Sequence, residues 1–390
     1  MKILHTSDWH LGQTLYDFDC HEEHLSMLQQ MAELVSRHKP DLFLLAGDVF
    51  HVSQPSSYVS RMFADALVNI HDAHPEMTIV VTAGNHDSAT RHNIFQTPWK
   101  RMNVHVMGSI DKDDPASHII EVEGKGFVVA IPYTHERNMP EGFVQQVLDR
   151  VNIINSSGLP VILTAHTTVA GSDFTGHDTM PNFLSEGVGG IDAITIDSLG
   201  SGFDYLALGH IHKPQTLKGT HAVARYSGTP MAVNFDETYP HTVSLVEIDH
   251  HGSEVKITEI EIKNPRPLVS LPSKDFTDWE RALKLYEDFP ADMDAYIRLN
   301  IEVEGILPSL VMQEAKRLAQ SKKSRFCLIN LRRGKRNIQA QGSLSMKEFK
   351  EQNPLEIMKR YTEFLDMKFD AELEEMFRET LLSINDEENI

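Results

Sequence analysis

Residues 3–12 read Ile3-Leu4-His5-Thr6-Ser7-Asp8-Trp9-His10-Leu11-Gly12. A short apolar run passes directly into an aspartate and a histidine, side chains that hold divalent cations. Four further runs do the same. Residues 41–46 (DLFLLA) lead to Gly47-Asp48, and 78–83 (TIVVTA) lead to Gly84-Asn85-His86-Asp87. Residues 160–165 (PVILTA) lead to His166, and 205–208 (YLAL) lead to Gly209-His210-Ile211-His212. Ligands spread from residue 8 to residue 212 converge only where the strand ends carrying them lie side by side. Open α/β sheets bind ligands beyond the carboxyl ends of their strands, and each of these groups sits there. In a strand, residues i and i+2 share a side. Asp8 with His10, and His210 with His212, are therefore expected to face one point.

Outward from these runs, residues 1 to about 265 alternate β-like segments with helical ones at 21–37, 57–73 and 141–155. That rhythm predicts a layered α/β domain with helices outside a sheet. Closely spaced β-rich runs at 127–131, 242–248 and 255–262 predict a second sheet packed on the first. Residues 171–190 are glycine-rich and aperiodic, as in a long functional loop. The fold expected is thus a two-sheet α/β/β/α sandwich over residues 1–265. A boundary is expected at Lys263-Asn264-Pro265-Arg266-Pro267. Beyond it the pattern restarts as a small α/β unit at 266–340, with helices at 279–288 and 307–320 and strands at 295–303 and 325–332. From 345 to 390 the chain reads as helical: Leu355, Met358, Tyr361, Leu365 and Phe369 recur at three- and four-residue spacing, as do Leu373, Met376, Phe377, Thr380 and Leu381.

Composition narrows the class. The chain has 390 residues, 41% hydrophobic and 24% charged, as in an ordinary globular protein of two or more domains. No apolar run approaches bilayer length, so no membrane association is expected. Met1 leads straight into a strand, so no signal peptide is expected either. The two cysteines, Cys20 and Cys327, argue against a disulfide framework and suit a reducing cytoplasm. The net charge of −20 argues against a protein that coats nucleic acid. One segment departs from it. Lys316, Arg317, Lys322, Lys323, Arg325, Arg332, Arg333, Lys335 and Arg336 fall in a stretch with no Asp or Glu between Glu314 and Glu348. It reads either as a solvated face or as a phosphate-facing patch. From it Lys322, Lys323, Arg325, Arg332, Arg333, Lys335 and Arg336 are the candidate DNA contacts.

The ligand set is carboxylate, imidazole and amide, without thiolate. That suits Mn²⁺ or Fe²⁺ and tolerates Zn²⁺ or Mg²⁺. Two such ions carry four positive charges, of which Asp8 and Asp48 return two. The surplus attracts an anionic phosphodiester and stabilises charge growing on its oxygens. Taken singly the motifs are weak: the chain has 21 histidines, and a Gly-Asp pair is usually a turn. Five blocks in this order, each after an apolar run, point to one two-metal hydrolytic site.

These blocks resemble those of the calcineurin-like metallophosphoesterases, D-x-H, G-D, G-N-H-[DE], H and G-H-x-H, all intact here. The nearer resemblance is to the nuclease subunits that work with SbcC-type ATPases in bacteria, kin to archaeal and eukaryotic double-strand-break nucleases. It is carried by Ile3–Gly12, Ala46-Gly47-Asp48-Val49-Phe50, Ala207–His212, and Tyr226-Ser227-Gly228-Thr229-Pro230 with Phe235-Asp236-Glu237. It is specific over about residues 1–240 and rests on layout alone beyond 265. The resemblance implies that Asp8, His10, Asp48 and His212 hold one metal and that Asp48, Asn85, His166 and His210 hold the other, with Asp48 bridging. It implies that His86 stands over the scissile phosphate as general acid or transition-state donor, with Asp87 as a candidate partner and His51 as a candidate positioning residue. It further implies a DNA nuclease, exonucleolytic on double-strand ends and endonucleolytic on hairpins or single strands. The implied partners are DNA, an SMC-like coiled-coil ATPase docked by the C-terminal helices, and a second copy of the chain. Two other functions fit the metal core alone. One is a phosphodiesterase or phosphatase of small phosphate esters; the other is a scaffold with structural metals, against which His86 argues.

Overall fold

The computed structural model describes residues 1–94, 96–176, 193–218, 222–305 and 307–333, together with Leu355, Met358, Lys359, Thr362, Glu374, Glu375 and Phe377. Contacts divide the chain into Met1–Arg332 and Arg333–Ile390. The helices expected over 345–390 and most of the 171–190 loop lie outside the described residues.

The first part of the chain runs β1 (Lys2–Thr6), β2 (Thr14–Leu15), β3 (Phe18–Asp19), α1 (His21–His38), β4 (Leu42–Ala46), α2 (Ser57–Ala73) and β5 (Thr78–Thr82). It continues through α3 (Ala89–Ile94), α4 (Gln96–Lys100), β6 (Val104–Met107), β7 (Ile119–Val122), β8 (Gly126–Ala130), α5 (Phe143–Ile154), β9 (Val161–His166) and β10 (Tyr205–Gly209). Then come β11 (Gln215–Lys218), β12 (Val223–Tyr226), β13 (Thr242–Glu247) and β14 (Lys256–Glu261). Strands β2 and β3 pair as a two-stranded ribbon, and the other strands form two six-stranded sheets, in the orders β14-β13-β1-β4-β5-β6 and β11-β12-β10-β9-β8-β7. Strands β1, β4 and β5 pair in parallel, as do β8, β9 and β10. Their carboxyl ends are thereby brought to one edge of each sheet.

The apolar runs are continuous because these central strands are covered on both faces. Ile3, Leu42, Leu44 and Val80 of the first sheet meet Val128, Ile162, Tyr205 and Ala207 of the second in one buried layer. On the far side of the first sheet, Met27, Met31 and Val35 of α1 and Phe63, Ala66 and Leu67 of α2 pack against Phe43, Leu45 and Val81. On the far side of the second, Val144, Val147, Leu148 and Val151 of α5 pack against Val129, Leu163 and Leu206. Helix α2 buries Met62, Phe63, Ala66, Leu67 and Ile70, one stripe at helical period. The Ser56 hydroxyl caps its start by accepting from the Val59 N–H. The result is the four-layer α/β/β/α sandwich that the periodicity predicts.

Beyond it, β15 (Leu268–Leu271), α6 (Trp279–Asp288), β16 (Tyr296–Val303), α7 (Ser309–Ala319) and β17 (Arg325–Arg333) form a three-stranded sheet with two helices. Leu283, Tyr286, Ile297, Leu299, Val311, Leu318 and Phe326 make a core of its own. The join to the sandwich is polar. Arg266, buried, pairs with Glu23 and Glu22 of α1 and with Asp294, the last two at 2.7 Å. The Tyr296 hydroxyl donates to Glu23 at 2.7 Å. A second, apolar contact gathers Leu15, Cys20, Phe235 and Tyr296, with Cys327 packed beside them. Both cysteines are free thiols.

Candidate metal centre

The rims of the two sheets meet where β1, β4, β5, β9 and β10 end, and the candidate ligands gather there. Three groups of side chains bring their ligand atoms within 4.8 Å of one another: Asp8, His10 and His212; Asp48, His166 and His210; and His10, Asp48 and His86. Asn85 joins the second group, its Oδ1 lying 3.0 Å from His166 Nε2 and 3.1 Å from His210 Nδ1. Asp48 stands between the groups. Its Oδ2 is 3.3 Å from His166 Nε2 and 3.9 Å from His10 Nε2. Its Oδ1 accepts the His86 backbone N–H at 2.8 Å.

The local route to this convergence differs from the expected one. Strand β1 stops at Thr6 and β10 at Gly209, so alternation along a strand does not aim the ligands. Instead Asp8, His10, Asp48 and His210 take left-handed backbone, with φ of 52°, 46°, 48° and 98°. Such conformations cost on the order of 1–3 kcal/mol each and persist where surrounding structure enforces them. The enforcement is visible: Asp8 N–H donates to the Gly47 carbonyl at 3.0 Å, and His10 N–H donates to the Asp48 carbonyl at 3.1 Å. Gly47 itself has φ of 88°, and a Cβ there would lie 2.1 Å from His166 Nδ1. Only glycine lets these two strand ends approach.

The donor set fits divalent cations. His166 Nδ1 donates to the Ala46 carbonyl at 2.9 Å, which leaves its Nε2 turned toward Asp48 and Asn85. His212 Nδ1 lies 2.7 Å from Glu237 Oε1, and its Nε2 is 3.1 Å from His10 Nε2. Two imidazole nitrogens this close, beside two buried carboxylates, are what a shared cation draws together. The charges agree. Burial raises the Asp8 carboxyl, against the pull of His166 and His212. Burial would raise Asp48 as well, but the charge and hydrogen bond of His166, with His10 and His86, hold it well below the usual carboxylate range. Burial would lower His166, yet Asp48 pushes it up to about 9. Burial, then His212, pushes His10 well below its ordinary value, so that ring is neutral and free to ligate.

His86 sits at the edge of this set. Its Nδ1 donates to the His51 carbonyl at 2.9 Å, so Nε2 is the end left for other chemistry. Its ring meets that of His10 edge-on at 5.0 Å and stacks on that of His51 at 6.1 Å. Burial and then the neighbouring His86 lower the His51 ring. Asp87 is engaged elsewhere than with the His86 ring. Its carboxylate accepts N–H groups from Val49, Phe50 and Gly84 at 3.1, 3.0 and 2.8 Å, and so ties the loops after β4 and β5 together. Beside Asn85, His166 and His210 opens a cavity of about 550 Å³ whose walls include Tyr133, Met139 and Phe143. This is within the range of small-molecule sites, about 300–1,000 Å³.

Two features escape a reading of the chain. Glu237 holds His212 but appears in the sequence only within Phe235-Asp236-Glu237, and no spacing marks it as a ligand's partner. Among the described residues, three of the seven candidate DNA contacts are engaged within the chain. Lys322 Nζ donates to the carbonyls of Glu287 and Phe289 at the end of α6. Arg325 pairs with Asp294 at 2.6 Å. Arg332 pairs with Glu302 at 3.0 Å and lies over the Phe276 ring. Lys323 and Arg333 are exposed, and Lys335 and Arg336 lie outside the described residues.

Residues 1–214 match the family described as calcineurin-like phosphoesterase. The chain is similar to the SbcD component of the nuclease SbcCD from Rhodobacter capsulatus, with 30% identity over 301 residues, covering 70% of this chain and 72% of that one. It is similar to the same component of the nuclease SbcCD from Bacillus subtilis, with 29% identity covering 82% of this chain and 83% of that one. Among solved structures, a dimetal phosphatase from Danio rerio aligns at 10% identity with a TM-score of 0.41, covering 67% of this chain and 99% of that one.

Proposed function

The chain belongs to the calcineurin-like phosphoesterases and, among them, to the SbcD nucleases, and from this we propose that it is the metal-dependent nuclease subunit of a DNA-processing complex. The observation that carries the reading is Asp48, whose carboxylate belongs to two groups of ligand atoms, one with His10 and His86 and one with His166 and His210. Family and ligand chemistry together call for divalent metal ions. Two of them, Mn²⁺ before Fe²⁺, Mg²⁺ or Zn²⁺, would be held by Asp8, His10, Asp48 and His212 and by Asp48, Asn85, His166 and His210. Ions in such a site supply Lewis acidity to a phosphoryl oxygen and an activated water at neutral pH.

The chain's own groups do the rest. Asp48 keeps the two halves of the site in register. Ala46, through its carbonyl, orients His166. His86 presents Nε2 to the oxygen that leaves from phosphorus, giving it a proton or a hydrogen bond as charge builds there. His51 fixes the His86 ring through its carbonyl, and Asp87 fixes the loop that carries both. The cavity beside Asn85 leaves room for a nucleoside of the strand being cut.

The substrate in this reading is DNA: double-strand ends by exonuclease, hairpins and single strands by endonuclease, in repair, recombination and replication. The partner is an SbcC-type coiled-coil ATPase, and a second copy of this chain completes the assembly. Residues 266–340 form a capping unit over the nuclease domain of residues 1–265, and residues 345–390 dock the ATPase. No helix among the described residues is long and apolar enough to cross a membrane. A cytoplasmic setting belongs to the same reading.

One observation favours a second reading. Lys322, Arg325 and Arg332 are engaged on their own chain, which lowers the positive charge these three offer a duplex, as suits an enzyme of small phosphate esters. The test is direct. The purified chain, with Mn²⁺ and with or without the ATPase, is given end-labelled duplex DNA and a small aryl phosphodiester. Cleavage of DNA is expected, weakening steeply with salt. Strong cleavage of the ester with none of DNA under either condition overturns the nuclease reading. Deleting residues 345–390 is expected to spare metal content and abolish co-purification with the ATPase; an intact complex would remove the docking role.

A further inference from the structure

The side chain of Glu237 is fully buried and makes two strong contacts at once. Its Oε1 lies 2.7 Å from His212 Nδ1, and its Oε2 accepts the Val233 N–H at 2.9 Å. Asn234 Nδ2 adds a longer contact to Oε1 at 3.4 Å. A carboxylate in this setting only accepts, so His212 Nδ1 is the donor. The lone pair of the neutral ring then resides on Nε2, the atom facing His10 Nε2 and the first ligand group. The tautomer of a ligating histidine is set by the bond its other nitrogen makes.

The segment bearing Glu237 is clamped from two directions. Gln13, just past the Asp8–His10 turn, donates its Nε2–H to the Val233 carbonyl at 2.5 Å. From the small sheet, Arg298 of β16 pairs with Asp236 at 2.5 Å, donates to the Phe235 carbonyl at 3.3 Å and lies 5.2 Å over the Phe235 ring. Its own Nε is held by Ser270 at 3.0 Å. Three consecutive residues therefore link the small sheet to a ligand of the sandwich: Phe235 and Asp236 are gripped by Arg298, and Glu237 grips His212.

We infer that Glu237 is a positioning residue that fixes His212 as its Nδ1–H tautomer, and that Arg298 holds Glu237 in place, so that the small sheet sets one half of the metal site. This rests on the metal-binding part of the reading above and not on the choice of substrate. The side chain of Glu237 touches no reacting atom. It acts through His212.

The decisive measurement needs no DNA. Long-range ¹H–¹⁵N spectra of the metal-free protein, at a pH where the ring is neutral, report which nitrogen of His212 carries hydrogen. The resonance is assigned by its loss in His212→Gln. Hydrogen on Nδ1 is expected in the wild type; hydrogen on Nε2 overturns the inference whether or not any variant folds. In Glu237→Gln one acceptor faces the donors of His212 and Val233 and, at longer range, that of Asn234. The Val233 N–H is fixed backbone, so the amide NH₂ turns to His212 and drives its hydrogen to Nε2. With the fold checked by circular dichroism, Mn²⁺ affinity measured by calorimetry should then fall about 10–100-fold at one of the two sites. Arg298→Met keeps the aliphatic stem on Phe235 but loses the Asp236 pair, and should weaken the same site by a smaller factor. A folded Glu237→Gln that keeps the wild-type tautomer and binds both ions at wild-type affinity overturns the inference. A chain with the expected tautomer and Mn²⁺ binding that cleaves only small esters overturns the nuclease reading instead.

Discussion

Replacing Asp48 with alanine is expected to empty both metal positions at once. Elemental analysis after desalting should fall from two Mn²⁺ per chain to none, and DNA cleavage should fall to background. The expectation follows from position. Among the described residues Asp48 is the carboxylate grouped with both His10 and His166, so each half of the site loses its shared anion. Removing it leaves the His166–His210 group without a carboxylate, with Asp8 the carboxylate of the other group, and a poorly balanced buried charge is strongly disfavoured. Two ions retained with near-native affinity in Asp48→Ala would show that each half is complete without the aspartate, and the shared-ligand account would be wrong.

Replacing His86 with alanine should have the opposite profile. Metal content stays at two. The backbone N–H of residue 86 still donates to Asp48 Oδ1, because that bond does not involve the side chain. His51 is itself half-exposed, so its carbonyl meets water once the ring is gone rather than being buried unpaired. What disappears is the nitrogen aimed past the ligands. A group that protonates a leaving oxygen contributes about 10²–10⁴-fold, and a loss of that size in turnover, with little change in DNA binding, is expected. Turnover within a few-fold of wild type would remove His86 from the chemistry and leave it as an outer metal ligand, the role its place in the His10–Asp48–His86 group would then describe.

The contrast between these two residues shows what a chain displays before it folds. Asp48 and His86 announce themselves because each follows an apolar run, and such runs become strands buried on both faces. Leu42, Leu44, Ile162 and Ala207 could be read as sheet core for the same reason. The aiming of the ligands could not be read that way. Asp8, His10, Asp48 and His210 owe their directions to left-handed backbone held by hydrogen bonds between loops, and no periodicity reports a positive φ at a non-glycine residue. Glu237 was hidden for a related cause: it reaches His212 through a loop, where side-chain direction follows the turn and not the sequence interval. The basic segment conceals a third kind of information. Arg325 and Arg332 meet Asp294 and Glu302 on or next to the neighbouring strand β16, a pairing that a linear charge count does not show. The small α/β unit was the easiest to read, since Trp279–Asp288 and the strand after it carry plain helical and alternating patterns around a core of their own.

The most direct test is to locate the ions. Crystals of the wild-type chain grown or soaked in Mn²⁺ and measured at the manganese edge should show two anomalous peaks. They are expected roughly 3.5–4 Å apart, with the Asp48 carboxylate between them, one peak against Asp8, His10 and His212 and the other against Asn85, His166 and His210. A single peak, or two peaks that share no oxygen of Asp48, would contradict the account.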